Sequence, residues 1–282
     1  VQLLGAAPHQ GEPSRIAFVI DGVGRIERER AIEQLLELEG PKLLAFAGRF
    51  CGSESEAEDL VQETFIRAFR SWNQLADKRN ARAWLYSIAR HACQRMHRKR
   101  AGEPVRIESL DELLPRPTPT VPDLDAAADP HRTQLRTEAR ELVERALAQL
   151  PTAFRVPLVL SDIAELTTAE IAAVLGIKEA TVKTRLHRAR LKLRAVLASG
   201  LPQRPAPPAT HAREVCLDLI SARLEAFDRG VAFPFSAEAL CERCRAVLGT
   251  LDLARQSCAA LTPEHLSPEL RKRLRSVART AG

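Results

Sequence analysis

Apolar residues recur at three- and four-residue spacings through three stretches of the chain, and proline- or glycine-rich stretches separate them. Residues 1–25 hold no sustained period and are broken by Gly5, Gly11, Pro13, Gly22 and Gly24, which predicts a loose leader. Residues 26–100 follow a helical pattern with breaks expected at Gly40-Pro41 and at Cys51-Gly52-Ser53. Residues 101–135 contain six prolines and read as a linker. Helical spacing returns over 136–200. A second linker, 201–210, carries four prolines, and 211–282 form a third, smaller helical segment. No stretch alternates long enough for a sheet, and no internal repeat is visible. The pattern predicts an all-α fold: two small helical domains joined by a Pro-rich linker, followed by a helical module that contains cysteines.

Within the first domain, Ser53 and Glu56 form a Ser-x-x-Glu capping box ahead of an apolar stripe of Ala57, Leu60, Val61, Thr64, Phe65, Ala68 and Phe69. The other side of this helix carries Glu56, Asp59, Gln62, Glu63 and Arg67. Phosphates repel such a face, so a protein with a basic surface is the more economical partner. The next helix, about 81–97, turns Trp84, Leu85, Ile88, Ala89 and Ala92 inward. Arg90, His91, Gln94, Arg95 and Arg98 face outward, where Arg neutralises phosphate and Gln or Arg reaches base edges. Trp72, Trp84 and Tyr86 add aromatic surface beside this patch, and such surface can stack on unpaired bases; Trp84 lies on the apolar side and reads as core, while Trp72, ahead of a loop, stays open between packing and stacking.

The second domain carries a sharper signal. Thr167 and Glu170 form a capping box, Ile171, Ala172 and Leu175 a short stripe, and Gly176 a stop. A basic helix follows, with Val182, Leu186, Ala189 and Leu193 inward. Short helix, glycine turn and basic helix are the order of a helix-turn-helix. Thr181, Lys183, Thr184 and Arg185 would meet bases, and Arg188, Arg190 and Lys192 would lie nearer phosphates. Lys178 is a poor residue for the N-cap of this helix.

Charge supports two nucleic-acid surfaces. The 282-residue chain has a net charge of +6 and a pI near 9.2. Five Lys/Arg and no Asp/Glu lie between Arg90 and Arg100, and seven Lys/Arg with one Glu between Lys178 and Arg194. There is no 18-residue apolar run and no signal-peptide pattern, so no membrane insertion is expected and the cytoplasm is the expected location. No phosphate loop, nucleophile elbow or paired-carboxylate site suggests an enzyme. Four of the six cysteines fall in 211–282, including Cys241-x-x-Cys244, a spacing that serves a metal site or a redox pair.

The segments AEDLVQETFIRAFRSW at 57–72, RAWLYSIARHACQRMHRKR at 82–100 and LAQLPTAFRVPLVLSDIAELTTAEIAAVLGIKEATVKTRLHRARLKLR at 147–194 resemble bacterial RNA polymerase sigma factors of the sigma-70 family, extracytoplasmic-function (ECF) group. The resemblance covers about residues 28–197. His91 stands where such proteins usually have Asn. It implies that 26–100 is sigma region 2, with Asp59, Gln62 and Glu63 docking core RNA polymerase. Trp72, Arg90, His91, Gln94, Arg95 and Arg98 would melt and hold the −10 promoter element. It implies that 136–200 is sigma region 4, with Thr181, Lys183, Thr184, Arg185 and Arg188 reading the −35 element, and that the 101–135 linker threads near the polymerase active site. Promoter DNA and core polymerase are the implied partners, with room for a separate anti-sigma factor.

The segments CLDLISARLEAF at 216–227 and CERC at 241–244 resemble the zinc-binding anti-sigma fold, although Ala237 replaces its usual His. The arrangement is also similar to metal-responsive sigma factors with a fused cysteine-rich tail. That implies Cys216, Cys241, Cys244 and Cys258 as ligands for Zn, Cu or Cd, with His211 as a substitute for one of them. Two readings stay open beside this: a helix-turn-helix regulator with a structural-zinc or redox-sensing tail, and a metal-handling protein with an incidental DNA-binding part. Cys51 and Cys93 read as packing residues, and the basic amphipathic stretch 270–277 as a DNA or polymerase contact or a cap on the module.

Overall fold

The structure, a computed structural model, describes residues 25–51, 53–97, 130–202, 208, 210–236 and 239–280. Arg98, residues 1–24, most of the 101–135 linker, and Ala237 lie outside them. Ten α-helices and no strand occur among the described residues, in keeping with the all-α expectation.

Three helices build the first domain: α1 (Arg25–Gly48), α2 (Glu54–Ser71) and α3 (Ala81–His97). Ser53 Oγ accepts from the Glu56 N–H at 3.2 Å, and all seven residues of the predicted stripe in α2 are buried. The expected break at Gly40-Pro41 is absent, because α1 runs through it. Pro41 removes one helical hydrogen bond, and packing of α1 on α2, α3 and the C-terminal helix offsets that loss. Buried Glu39 sits at this point, accepting from Tyr86 Oη at 3.2 Å and ion-paired with Arg82 at 2.9 Å.

The second domain comprises α4 (Pro130–Gln149), α5 (Thr152–Asp162), α6 (Thr168–Leu175) and α7 (Glu179–Gly200). Helix α4 begins within the stretch read as linker, at a proline tolerated in a first turn. The full Thr167–Glu170 capping box is present, and Gly176 takes the left-handed conformation (φ 66°) that a side chain would resist. Lys178 precedes α7 without a side-chain cap. The α6 and α7 starts are instead tied by Thr168 Oγ1 donating to Glu179 at 2.6 Å.

The two domains touch. Helix α3 packs against α6, Arg90 donates to the Val174 carbonyl at 3.2 Å, Arg82 donates to the Ala164 carbonyl, and Lys42 pairs with Glu165. The C-terminal module, α8 (Arg213–Arg229), α9 (Glu242–Ala259) and α10 (Pro268–Thr280), reaches both domains. Helix α9 lies along α4, α5 and α7, while α10 crosses to α1 and α2.

Candidate nucleic-acid interface

Helix α7 presents the predicted base-reading side chains. Thr184 is exposed, and Thr181, Lys183, Arg185 and Arg188 are half-buried. Thr184 Oγ1 donates back to the Ala180 carbonyl at 3.0 Å, and Lys183 pairs with Glu179 at 3.6 Å. These five residues remain on one side of a helix whose opposite side, Val182, Leu186, Ala189 and Leu193, fills the domain core.

Arg190 departs from the phosphate-contacting role expected of it. Its guanidinium is 3% exposed and forks onto Asp162 (2.7 Å) and Asp228 (2.6 Å). Asp228 belongs to α8, and its side chain is fully buried. Burial favours its neutral form, but the His187 bond at 3.0 Å and the Arg190 charge outweigh this and hold the carboxyl below its ordinary range. Arg194 is also buried, and burial lowers its pKa to about 10. Next to these, Leu191 is 1% exposed, yet it clusters with Ile220, Leu224, Phe227, Val247, Leu248 and Leu251 of the module rather than with its own domain.

On the first domain, α3 leaves His91, Gln94 and Arg95 exposed, while Arg90 is half-buried against α6. The aromatic side chains do not form an open stacking surface. Trp72 is 4% exposed, edge-on to Trp84 with ring centroids 6.0 Å apart, and Lys78 lies 4.6 Å over its ring. Tyr86 is wholly buried on Glu39. Trp72 is thus corrected to a packing residue: its ring seals the start of the α2–α3 connection.

Helix α2 leaves Asp59 exposed, with Gln62 and Glu63 half-buried and Glu63 paired to Arg67. Helix α10 borders this face. Arg273 pairs with Glu58, and Arg275 with Glu33 (2.9 Å) and Glu37 (3.1 Å). Leu266, Leu270 and Leu274 are buried there, with Leu274 near Ile32, Leu36 and Phe65. A Cβ on Gly40 would come within 2.7 Å of Leu266 Cδ1. The stretch read as a DNA or polymerase contact, or as a cap on the module, packs instead on α1 and α2 of the first domain.

The predicted four-cysteine ligand set is not assembled. Cys216 and Cys244 lie with sulfurs 3.4 Å apart, and Cys241 Sγ accepts from the Cys244 N–H at 3.4 Å. Cys258 follows Cys244 by fourteen residues of the same helix, a rise of about 21 Å. It is fully buried against the second domain, where burial pushes its thiol well up. His211 stands half-buried two residues ahead of α8. No group of three or more His, Cys, Asp or Glu side chains suited to a metal ion occurs among the described residues. Nor is any described helix long and apolar enough to cross a membrane.

Residues 35–103 match the family described as Sigma-70 region 2, and 140–193 that described as Sigma-70, region 4. The chain is 36% identical over 189 residues to the ECF RNA polymerase sigma factor SigE of Mycolicibacterium smegmatis, covering 66% of this chain and 69% of that protein. It is 32% identical over 247 residues to the ECF RNA polymerase sigma factor SigG of Mycobacterium tuberculosis, covering 79% of this chain and 65% of that protein. Among solved structures, CnrH in complex with the cytosolic domain of CnrY is 26% identical, with a TM-score of 0.43 over 62% of this chain and 95% of that one.

Proposed function

The chain belongs to the ECF group of sigma-70 factors, non-enzymatic proteins that direct transcription initiation, and from that premise we propose how its surfaces are divided and held in check. Asp59, Gln62 and Glu63 dock core RNA polymerase. Arg90, His91, Gln94 and Arg95 engage the −10 element, and Thr181, Lys183, Thr184, Arg185 and Arg188 read the −35 element. The C-terminal module holds the two DNA-reading domains together and so restrains initiation.

The observation that supports this reading is Leu191. It lies on the recognition helix, outside that helix's own core, and is covered by module residues. Distance adds to it. Elements named −10 and −35 are about 25 base pairs apart, about 85 Å of duplex. Helices α3 and α6 are in contact, so the domains must separate before both elements are engaged. The module bridges both domains and opposes that separation.

The test is run-off transcription from the gene's own upstream region, with purified protein and core polymerase. A transcript of defined length is expected with the wild-type chain, and more of it with Asp228→Ala, which removes the module's hold on Arg190 and His187. Equal yield from the two would overturn restraint by the module. Failure of both to bind core polymerase would overturn the docking assignment.

A further inference from the structure

Arg190 and Arg194 stand one turn apart on α7, and both are withdrawn from solvent, at 3% and 4% exposure. Their surroundings differ. Arg190 donates to Asp162, to Asp228 and to Ser161 Oγ. Arg194 makes no hydrogen bond or ion pair among the described residues, and its Nε is buried without one. His187, Arg190, Leu191 and Arg194 are spaced i, i+3, i+4, i+7, which puts them on one face of α7. His187 and Arg190 bond Asp228 of α8, and Leu191 lies in the module's core. That face is therefore the one the module covers, and α9 packs along the same helix. We propose that Arg194 is a counterweight to the module: an unpaired charge that docking buries and that therefore favours release.

A guanidinium taken out of water loses its hydration, and only hydrogen-bonding partners of opposite charge make up the loss. Arg190 has such partners on both sides of the interface, Asp162 in its own domain and Asp228 in the module. Docking completes its pairing. Arg194 has none, so docking strips water from it and supplies nothing in return. Lifting the module lets water back. Two like side chains one turn apart thus act in opposite senses: Arg190 holds the module down, and Arg194 pushes it off.

The charge does not escape by losing its proton. Burial lowers the Arg194 pKa to about 10 with no neighbouring charge to counter it, and a value there still leaves the guanidinium protonated at neutral pH. The cost is present whenever the module is docked. An apolar side chain of similar length would pack in the same place without it, and such replacements of a buried charge are often stabilising. The module's hold is therefore weaker than its leucines and its Asp228 pairs alone would make it. The counterweight rests on the restraint proposed above only for its effect on transcription: a hold that is partly cancelled is one that polymerase or promoter DNA can displace.

The test follows hydrogen exchange of the α8 backbone amides, Arg213–Arg229, by mass spectrometry on the full chain at neutral pH, beside run-off transcription. These amides exchange as the module opens. Arg194→Met should slow them at least about tenfold, and Asp228→Ala should speed them by a similar factor. Arg194→Lys, which keeps the charge, should stay within about threefold of the wild type. Shifts in the same direction for Arg194→Met and Asp228→Ala, no shift in Arg194→Met, or equal slowing by Arg194→Met and Arg194→Lys would overturn the proposal. So would slowing confined to α4–α7, which would assign the cost of Arg194 to the second domain's own fold. Transcript yield with Arg194→Met should fall at least about threefold. Slower α8 exchange at unchanged yield would uphold the counterweight and overturn restraint by the module instead.

Discussion

The C-terminal module grips the two domains in opposite ways. On the first domain, α10 sets leucines beneath and leaves the charges outside: Arg273 and Arg275 are each 46% exposed where they meet Glu58, Glu33 and Glu37. On the second, the charges themselves are buried, with Arg190, Asp162 and Asp228 at 3%, 2% and 0% exposure. An exposed pair is screened and worth little. A buried pair adds little over an apolar pair of the same shape, yet removing one partner strands the other at high cost. The first grip thus depends on shape and tolerates loss of charge. The second depends on keeping every charged partner in place.

Four measurements test this contrast. The largest effect is expected from Asp228→Ala, which leaves Arg190 with Asp162 as its one carboxylate beside the Ser161 hydroxyl, and takes Asp228 away from His187. Unfolding of the full chain in urea should show a loss of about 3–5 kcal/mol. A loss below about 1 kcal/mol would mean that Asp162 and Ser161 are enough to satisfy Arg190. Next is Leu270→Ala, fully buried at the α10 contact. A loss of about 2–4 kcal/mol is expected, together with faster tryptic cutting after Arg271 and Lys272.

Acid should act on the second grip. The folded-state pKa of Asp228 is depressed. Its contribution is therefore complete above the unfolded-state value of about 3.9 and is lost as pH falls through the lower folded value. Asp228→Asn should remove that limb from a plot of stability against pH; an unchanged limb would assign the acid response to other carboxyls. The smallest effect is expected from Arg273→Ala with Arg275→Ala. Under about 1 kcal/mol should be lost at low salt, and almost none at 1 M salt, where the Debye length is about 3 Å. A larger, salt-independent loss would show that these charges are more desolvated than their exposure indicates.

What the residues disclosed and what they withheld divides along the same line. The α2 stripe, the Thr167–Glu170 box and the glycine turn before α7 were legible because each is set by neighbours in the chain. The module's docking was not. Arg190 and Leu191 occupy positions that look like the solvent side of a recognition helix, and only α8 and α9 bury them. Trp72 was ambiguous because a tryptophan at a helix end suits either core or ligand, and the side chains of Trp84 and Lys78 decide it. Gly40-Pro41 read as a stop because propensity knows nothing of three helices packed around it. The separation of Cys258 from Cys244 was legible in principle, since fourteen residues of one helix cannot share an ion.

Gly40 lies inside α1. A glycine inside a helix costs about 1 kcal/mol relative to alanine, and this one precedes a proline. What it provides is proximity: a Cβ here would come within 2.7 Å of Leu266 Cδ1, so a larger residue requires the Leu266 side chain to shift. Position 40 is therefore a gain control for the whole molecule. Under the restraint proposed above, its size sets how firmly the tail seats and so how readily the two domains part, without altering any of the residues assigned to DNA or polymerase contact. Descendants of this chain have a single codon with which to become more responsive or more reticent.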